Sequence, residues 1–161
     1  MVATESACAD CGRPIEEHDR DLRFGLPDLA LNLSPEQEST TWHHGDLLQV
    51  PGVGAFVHVL LPVHLTGGHQ ITFATWLAVH PGTLRQAYDV WQEPGYADLV
   101  LEGVLANAVP PWGRKLFGCR AVARVRHNDE LPWLEETDDE LLDQVLRAEW
   151  PHEAVLSALP T

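Results

Sequence analysis

The chain has 161 residues, 45 % of them hydrophobic, and a net charge of −14. That length supports one domain with a core of its own, and no apolar run reaches the roughly 18 residues of a membrane helix. The negative balance repels phosphate backbones, which argues against nucleic acid as the main partner and favours a basic protein.

The opening MVATESACAD has no basic region followed by an apolar one, so no secretory leader is read there. Three cysteines in such a chain fit a reducing cytosol. Cys8 and Cys11 form a CxxC followed by Gly12, the shape of a zinc knuckle. Thiolates at this spacing supply two of the four ligands a structural zinc needs. His18 is the nearest candidate for a third; His43, His44 and Cys119 are further candidates, none at diagnostic spacing. A pair of reduced thiols and a redox CxxC are the alternatives, although a redox pair would open a helix after a buried strand.

Residues 21–33 are apolar but interrupted by Pro27, which suits an edge strand or an irregular packing segment. Ser34-Pro35 starts a brief helix, with Ser34 as N-cap and Gln37 closing the box. A turn at 42–46 leads to a strand over 47–50. Residues 54–80 are the centre of the chain: two alternating apolar runs joined by Gly67-Gly68. Matching the apolar faces selects a three-residue loop, Thr66-Gly67-Gly68, with Gly68 in a left-handed conformation. That register sets Val57 opposite Leu77, Val63 opposite Ile71, His58 opposite Trp76 and His64 opposite Gln70. The second face carries His58, His64 and Trp76. It is either a packing surface under a further element or the floor of a pocket.

After the hairpin, Thr83 and Gln86 form a capping box for a helix with Leu84, Ala87, Tyr88 and Trp91 on one stripe. Residues 97–109 fit helical and strand periods alike; proline at 110 and 111 favours a helix. Residues 118–126 alternate as a strand, with Arg120, Arg124 and Arg126 on one face as salt-bridge partners or an anion pocket. An edge strand follows at 131–134. Thr137-Asp138-Asp139-Glu140 then starts a helix, and residues 152–159 form a short last one after Trp150-Pro151. The fold expected is α+β in a single domain over 1–161 with a short CxxC segment at 1–20. It is an antiparallel sheet built around a central hairpin and packed with a few helices.

Five groups of residues, in order, carry a family resemblance: Cys8-x-x-Cys11-Gly12, Leu61-Pro62-Val63-His64, Phe73-Ala74-Thr75-Trp76-Leu77, Tyr88-x-x-Trp91-x-x-Pro94-Gly95 and Gly103-x-Leu105-x-Asn107-x-x-Pro110-x-Trp112. With them the chain resembles the bacterial family known as domain of unknown function 2199. It departs in the spacing between Cys11 and His18 and in the Ala and Thr of its second tryptophan-bearing strand. The resemblance implies a fold and a cytosolic bacterial setting, not a reaction.

Three functions fit these residues. One is a non-enzymatic acidic module, zinc-stapled through Cys8, Cys11 and His18, that binds a basic protein. Another is a small-molecule binder or enzyme with His58 and His64 as acid or base, Trp76 as a wall, and Arg120, Arg124 and Arg126 holding an anionic ligand. The last is a metal-dependent enzyme built on the cysteines and histidines. No nucleophile elbow, phosphate loop or HExxH is present. A free edge strand leaves room for a homodimer, and neither nucleic acid nor membrane is expected as a partner.

Overall fold

The computed structural model describes residues 7–159; the polar head of the chain, residues 1–6, lies outside them. Its elements in order are β1 (Asp21–Arg23), α1 (Pro35–Thr40), β2 (Trp42–His44), β3 (Leu47–Val50), β4 (Gly54–Leu65), β5 (His69–Val79), α2 (Pro81–Val90), β6 (Val100–Leu105), β7 (Arg120–Arg124), β8 (Trp133–Glu136), α3 (Glu140–Arg147), β9 (Glu149–Trp150) and α4 (His152–Leu156), with short 3-10 turns between them.

The β4–β5 hairpin has the register the alternation predicts: His58 faces Trp76, Val63 faces Ile71 and Leu65 faces His69. Thr66, Gly67 and Gly68 make the turn, and both glycines have positive φ, 84° and 86°, a conformation only glycine adopts without steric cost.

The sheet is not the open antiparallel sheet of an α+β fold. β4, β5, β6, β7 and β8 pair antiparallel in succession, and β8 then returns to pair parallel with β4 at Leu60 and Trp133. The Leu60 amide donates to the Pro132 carbonyl at 2.7 Å. Five strands thus close a mixed barrel, with β1, β2, β3 and β9 added outside the ring. An odd number of up-and-down strands must close through a parallel pair. Residues 131–134 therefore lead into the strand that seals the barrel rather than a free edge.

Three further expectations change. Residues 100–105 form β6 rather than a helix, because Gly103 lies flush on β5: a Cβ there would sit 2.0 Å from the Ala78 carbonyl oxygen. The helix after the hairpin starts at Pro81, capped by His80, whose ring accepts the Gly82 amide, not by Thr83. Likewise Asp139, not Thr137, caps α3 by accepting the Leu142 amide at 2.9 Å.

The barrel interior holds Val57, Val59, Leu61, Phe73, Leu77 and Leu101, all essentially inaccessible. The other hairpin face is buried too. Phe56 and Trp76 pack with Leu48, Val50, Ala30 and Ala106 in a second cluster, roofed by Phe24, Leu26 and Leu33. Asn107 locks this roof down. Its side-chain oxygen accepts from the Thr75 hydroxyl and the Trp76 amide, and its nitrogen donates to the Leu26 carbonyl and the Asp28 carboxylate. All four of its hydrogen-bonding positions are filled, as a buried amide requires.

Candidate metal centre

A tight N-terminal hook and the C-terminal segment meet at the hairpin turn. In the hook, the Cys8 amide donates to Arg13 and the Gly12 amide to Cys8, with Gly12 at φ 78°. This reversal brings Cys8 and Cys11 to one side. A 3-10 turn at Ile15–Glu17 then delivers His18. From the other end of the chain, β9 pairs with β4 at His64 and Leu65, and the Thr66 amide donates to the Trp150 carbonyl. Pro151 follows and His152 opens α4, buried beside the turn.

Cys8, Cys11, His18 and His152 therefore offer two sulfurs and two nitrogens, all within 4.8 Å of one another. Three of these residues are buried; Cys11 is half-buried. No disulfide joins the cysteines. His18 Nε2 lies 3.2 Å from His152 Nδ1, Cys11 Sγ lies 3.5 Å from His18 Nε2, and Cys8 Sγ lies 3.6 Å from His152 Nδ1. A tetrahedral ion with sulfurs at about 2.3 Å and nitrogens at about 2.0 Å has N···N and S···N edges of roughly 3.3 and 3.5 Å. Three of the six edges match these values, and the cluster could hold a metal ion.

The outer ring nitrogens strengthen this reading. His152 Nε2 donates to the Thr66 carbonyl at 2.6 Å, and His18 Nδ1 to the Pro14 carbonyl at 3.2 Å. A carbonyl only accepts, so each outer nitrogen carries its hydrogen, and in the neutral form the inner nitrogen of each ring offers a lone pair. Two such lone pairs 3.2 Å apart are held together by a metal ion or by a proton between them. Backbone carbonyls in this position are the usual outer support of metal-bound histidine. A third ring closes the wall: His69 lies 4.7 Å from His18 and 5.5 Å from His152, centre to centre. Its Nδ1 is 2.8 Å from Asp19, which also accepts the Gln70 amide.

The local electrostatics favour a thiolate at Cys8. The backbone amides of Cys11 and Asp10 bring its thiol down to about 7. Burial pushes the Cys11 thiol up. The Thr66 carbonyl raises His152, and the bond from His69 holds the Asp19 carboxyl below its ordinary range.

The remaining residues singled out in the sequence lie elsewhere. His43 and His44 are exposed on β2, and Cys119 is buried, its thiol donating to the Lys115 carbonyl. His58 is inaccessible and stacks on Trp76 at 3.7 Å between ring centres. Its Nδ1 meets the Asp46 carboxylate at 2.9 Å, and its Nε2 meets the Phe24 carbonyl at 2.7 Å, which also accepts the Trp76 indole N–H. His64 is separate, on a shallow groove with Arg126, Glu135 and Arg147. Arg124 pairs with Glu135 and Glu136, Arg126 pairs with Glu135 and covers the Trp133 ring, and Arg120 lies 3.7 Å from Asp138.

His152 is the residue sequence reasoning missed. It lies 134 positions from His18, and its only local signal is a helix start after Trp150-Pro151.

The profile of a family described as uncharacterized protein conserved in bacteria, DUF2199, matches residues 7–148. The chain belongs to this family. Cys8, Cys11 and His18 fall within the matched stretch, and His152 lies four residues beyond it. Comparison with curated proteins and with solved structures finds no match. Among the described residues, no helix is long and apolar enough to cross a membrane.

Proposed function

We propose that the chain is a non-enzymatic acidic module, stapled by one structural zinc, that binds a basic protein partner. One observation carries the zinc: two cysteines and two histidines converge with both outer ring nitrogens already bonded to backbone carbonyls. Thiolate and imidazole donors in a compact four-fold set suit zinc. All four places are taken by protein, which is the arrangement of a structural site; a catalytic zinc keeps one place for water.

The partner reading draws on the net charge of −14, which steers cationic surfaces toward the chain. The alternative of a small-molecule pocket around His58 and Trp76 has weaker support. Both nitrogens of His58 are engaged, and no nitrogen remains for a substrate proton. The arginines offered as anion holders each lie beside a carboxylate.

The test has two parts. Protein purified without tag or chelator should carry about one zinc per chain, lost in the Cys8→Ser, Cys11→Ser variant. Capture from a bacterial lysate should recover a basic protein whose binding weakens as salt rises. Metal-free wild type would remove the staple, and salt-insensitive or absent capture would remove the partner.

A further inference from the structure

We propose that Cys8 and Cys11 are an oxidation site whose conversion to a disulfide expels the zinc and unties the C-terminal segment. The inference rests on the zinc reading above and concerns how that site is regulated. Three of the four ligands lie within residues 8–18, and the fourth, His152, belongs to the C-terminal segment. The ion thus joins the two ends of the chain. Cys11 is the most open of the four ligands, so an oxidant reaches the cluster through its sulfur first.

The oxidant is a hydroperoxide. The Cys11 thiolate attacks the terminal peroxide oxygen, an S–O bond forms, the O–O bond breaks, and the leaving oxygen takes a proton. The Cys8 thiolate then attacks the Cys11 sulfur, the S–S bond forms, and hydroxide leaves and takes a second proton. Two electrons pass from the thiolates to the peroxide. Hydrogen peroxide yields two waters, and zinc leaves with only its two imidazoles to hold it.

The product differs from the staple in what it connects. A Cys8–Cys11 disulfide closes a loop inside the hook and holds nothing at the other end of the chain. Among the described side-chain contacts, the ties left between residues 8–18 and α4 are the His18–His152 ring contact, no longer bridged by an ion, and Arg13 to Glu153 at 2.8 Å, at the surface. Exposed ion pairs hold weakly. Val155, Leu156 and Leu159 still pack on the main core, so oxidation loosens residues 149–159 without unfolding the barrel.

The experiment treats zinc-loaded wild-type protein with hydrogen peroxide beside a chromogenic zinc chelator. Released zinc, remaining thiols and hydrogen exchange are followed together. Zinc release should match the loss of two thiols, and peptide mass mapping should find Cys8 joined to Cys11. Exchange protection over 149–159 should fall by about tenfold or more while that of β4 and β5 holds; reductant with added zinc should restore it. Zinc retained under peroxide, oxidation confined to Cys119, or unchanged protection at 149–159 would overturn the inference and leave the staple standing. A wild-type preparation that takes up no zinc before treatment would overturn both. Cys119→Ser should release zinc as the wild type does, and mass mapping gives the same answer if that variant folds poorly.

Discussion

Two buried histidine sites serve the same hairpin, one at its turn and one toward its open end, and they differ in what their ring nitrogens face. At the turn, His18 and His152 each give one nitrogen to a backbone carbonyl and turn the other into a shared space with two sulfurs. Toward the open end, His58 meets an acceptor at both nitrogens, Asp46 and the Phe24 carbonyl, and lies flat on Trp76. The first arrangement has unmet electron pairs that converge. The second is complete within the protein. Burial and residue type alone do not separate a ligand site from a packed histidine; the partner of the second nitrogen does.

The largest effect that tests this contrast is loss of the metal. Cys8→Ser with Cys11→Ser should cost about 4 kcal/mol of stability, a fall in Tm of roughly 8–16 °C for a chain of this size. Chelation should reproduce the fall in wild type and add nothing in the variant.

His58→Ala should cost about 3 kcal/mol, since it opens a cavity beside Trp76 and removes one partner each from Asp46 and the Phe24 carbonyl. This cost should persist after chelation, because the two sites share no ligand. Additive effects in denaturant melts would sharpen the comparison; strong coupling would break it.

Asp46→Asn should cost about 2 kcal/mol near neutral pH. The bond from His58, followed by that from Arg23, holds the Asp46 carboxyl below its ordinary range. A lowered folded-state pKa gives stability that is fully present above the unfolded value, about 4. It is lost as pH falls through the folded value. The gap between wild type and Asp46→Asn should therefore narrow between pH 7 and about pH 3. A gap that widens in acid would contradict the assignment. Arg124→Ala, which removes exposed ion pairs remote from both sites, should shift stability by no more than about 1 kcal/mol.

The sequence made the hairpin readable because two local signals agree there. Alternation defines the faces and Gly67-Gly68 sets the loop, so the register followed with no long-range information. Barrel closure had no such signal. It rests on Leu60 meeting Trp133, more than seventy residues apart, and alternation tells which face is inside without telling whether the outer strands meet. β6 was ambiguous because Leu101, Val104, Leu105 and Ala108 have helical spacing while Leu99, Leu101 and Leu105 also alternate. Gly103 was the available clue, since a glycine inside a strand pattern often marks close backbone approach. At the metal centre, the Cys8 and Cys11 pair was legible from its spacing, and His18 stood nearby as a candidate without a diagnostic spacing. His152 was not, because only the pairing of β9 with β4 carries it to the hairpin turn.

Zinc K-edge X-ray absorption on protein purified without chelator tests the central claim most directly. The account predicts about one zinc per chain, with two sulfurs at about 2.3 Å and two nitrogens at about 2.0 Å, and one nitrogen lost in His152→Ala. Metal-free protein, or an ion surrounded mainly by oxygen and unchanged in His152→Ala, would contradict it.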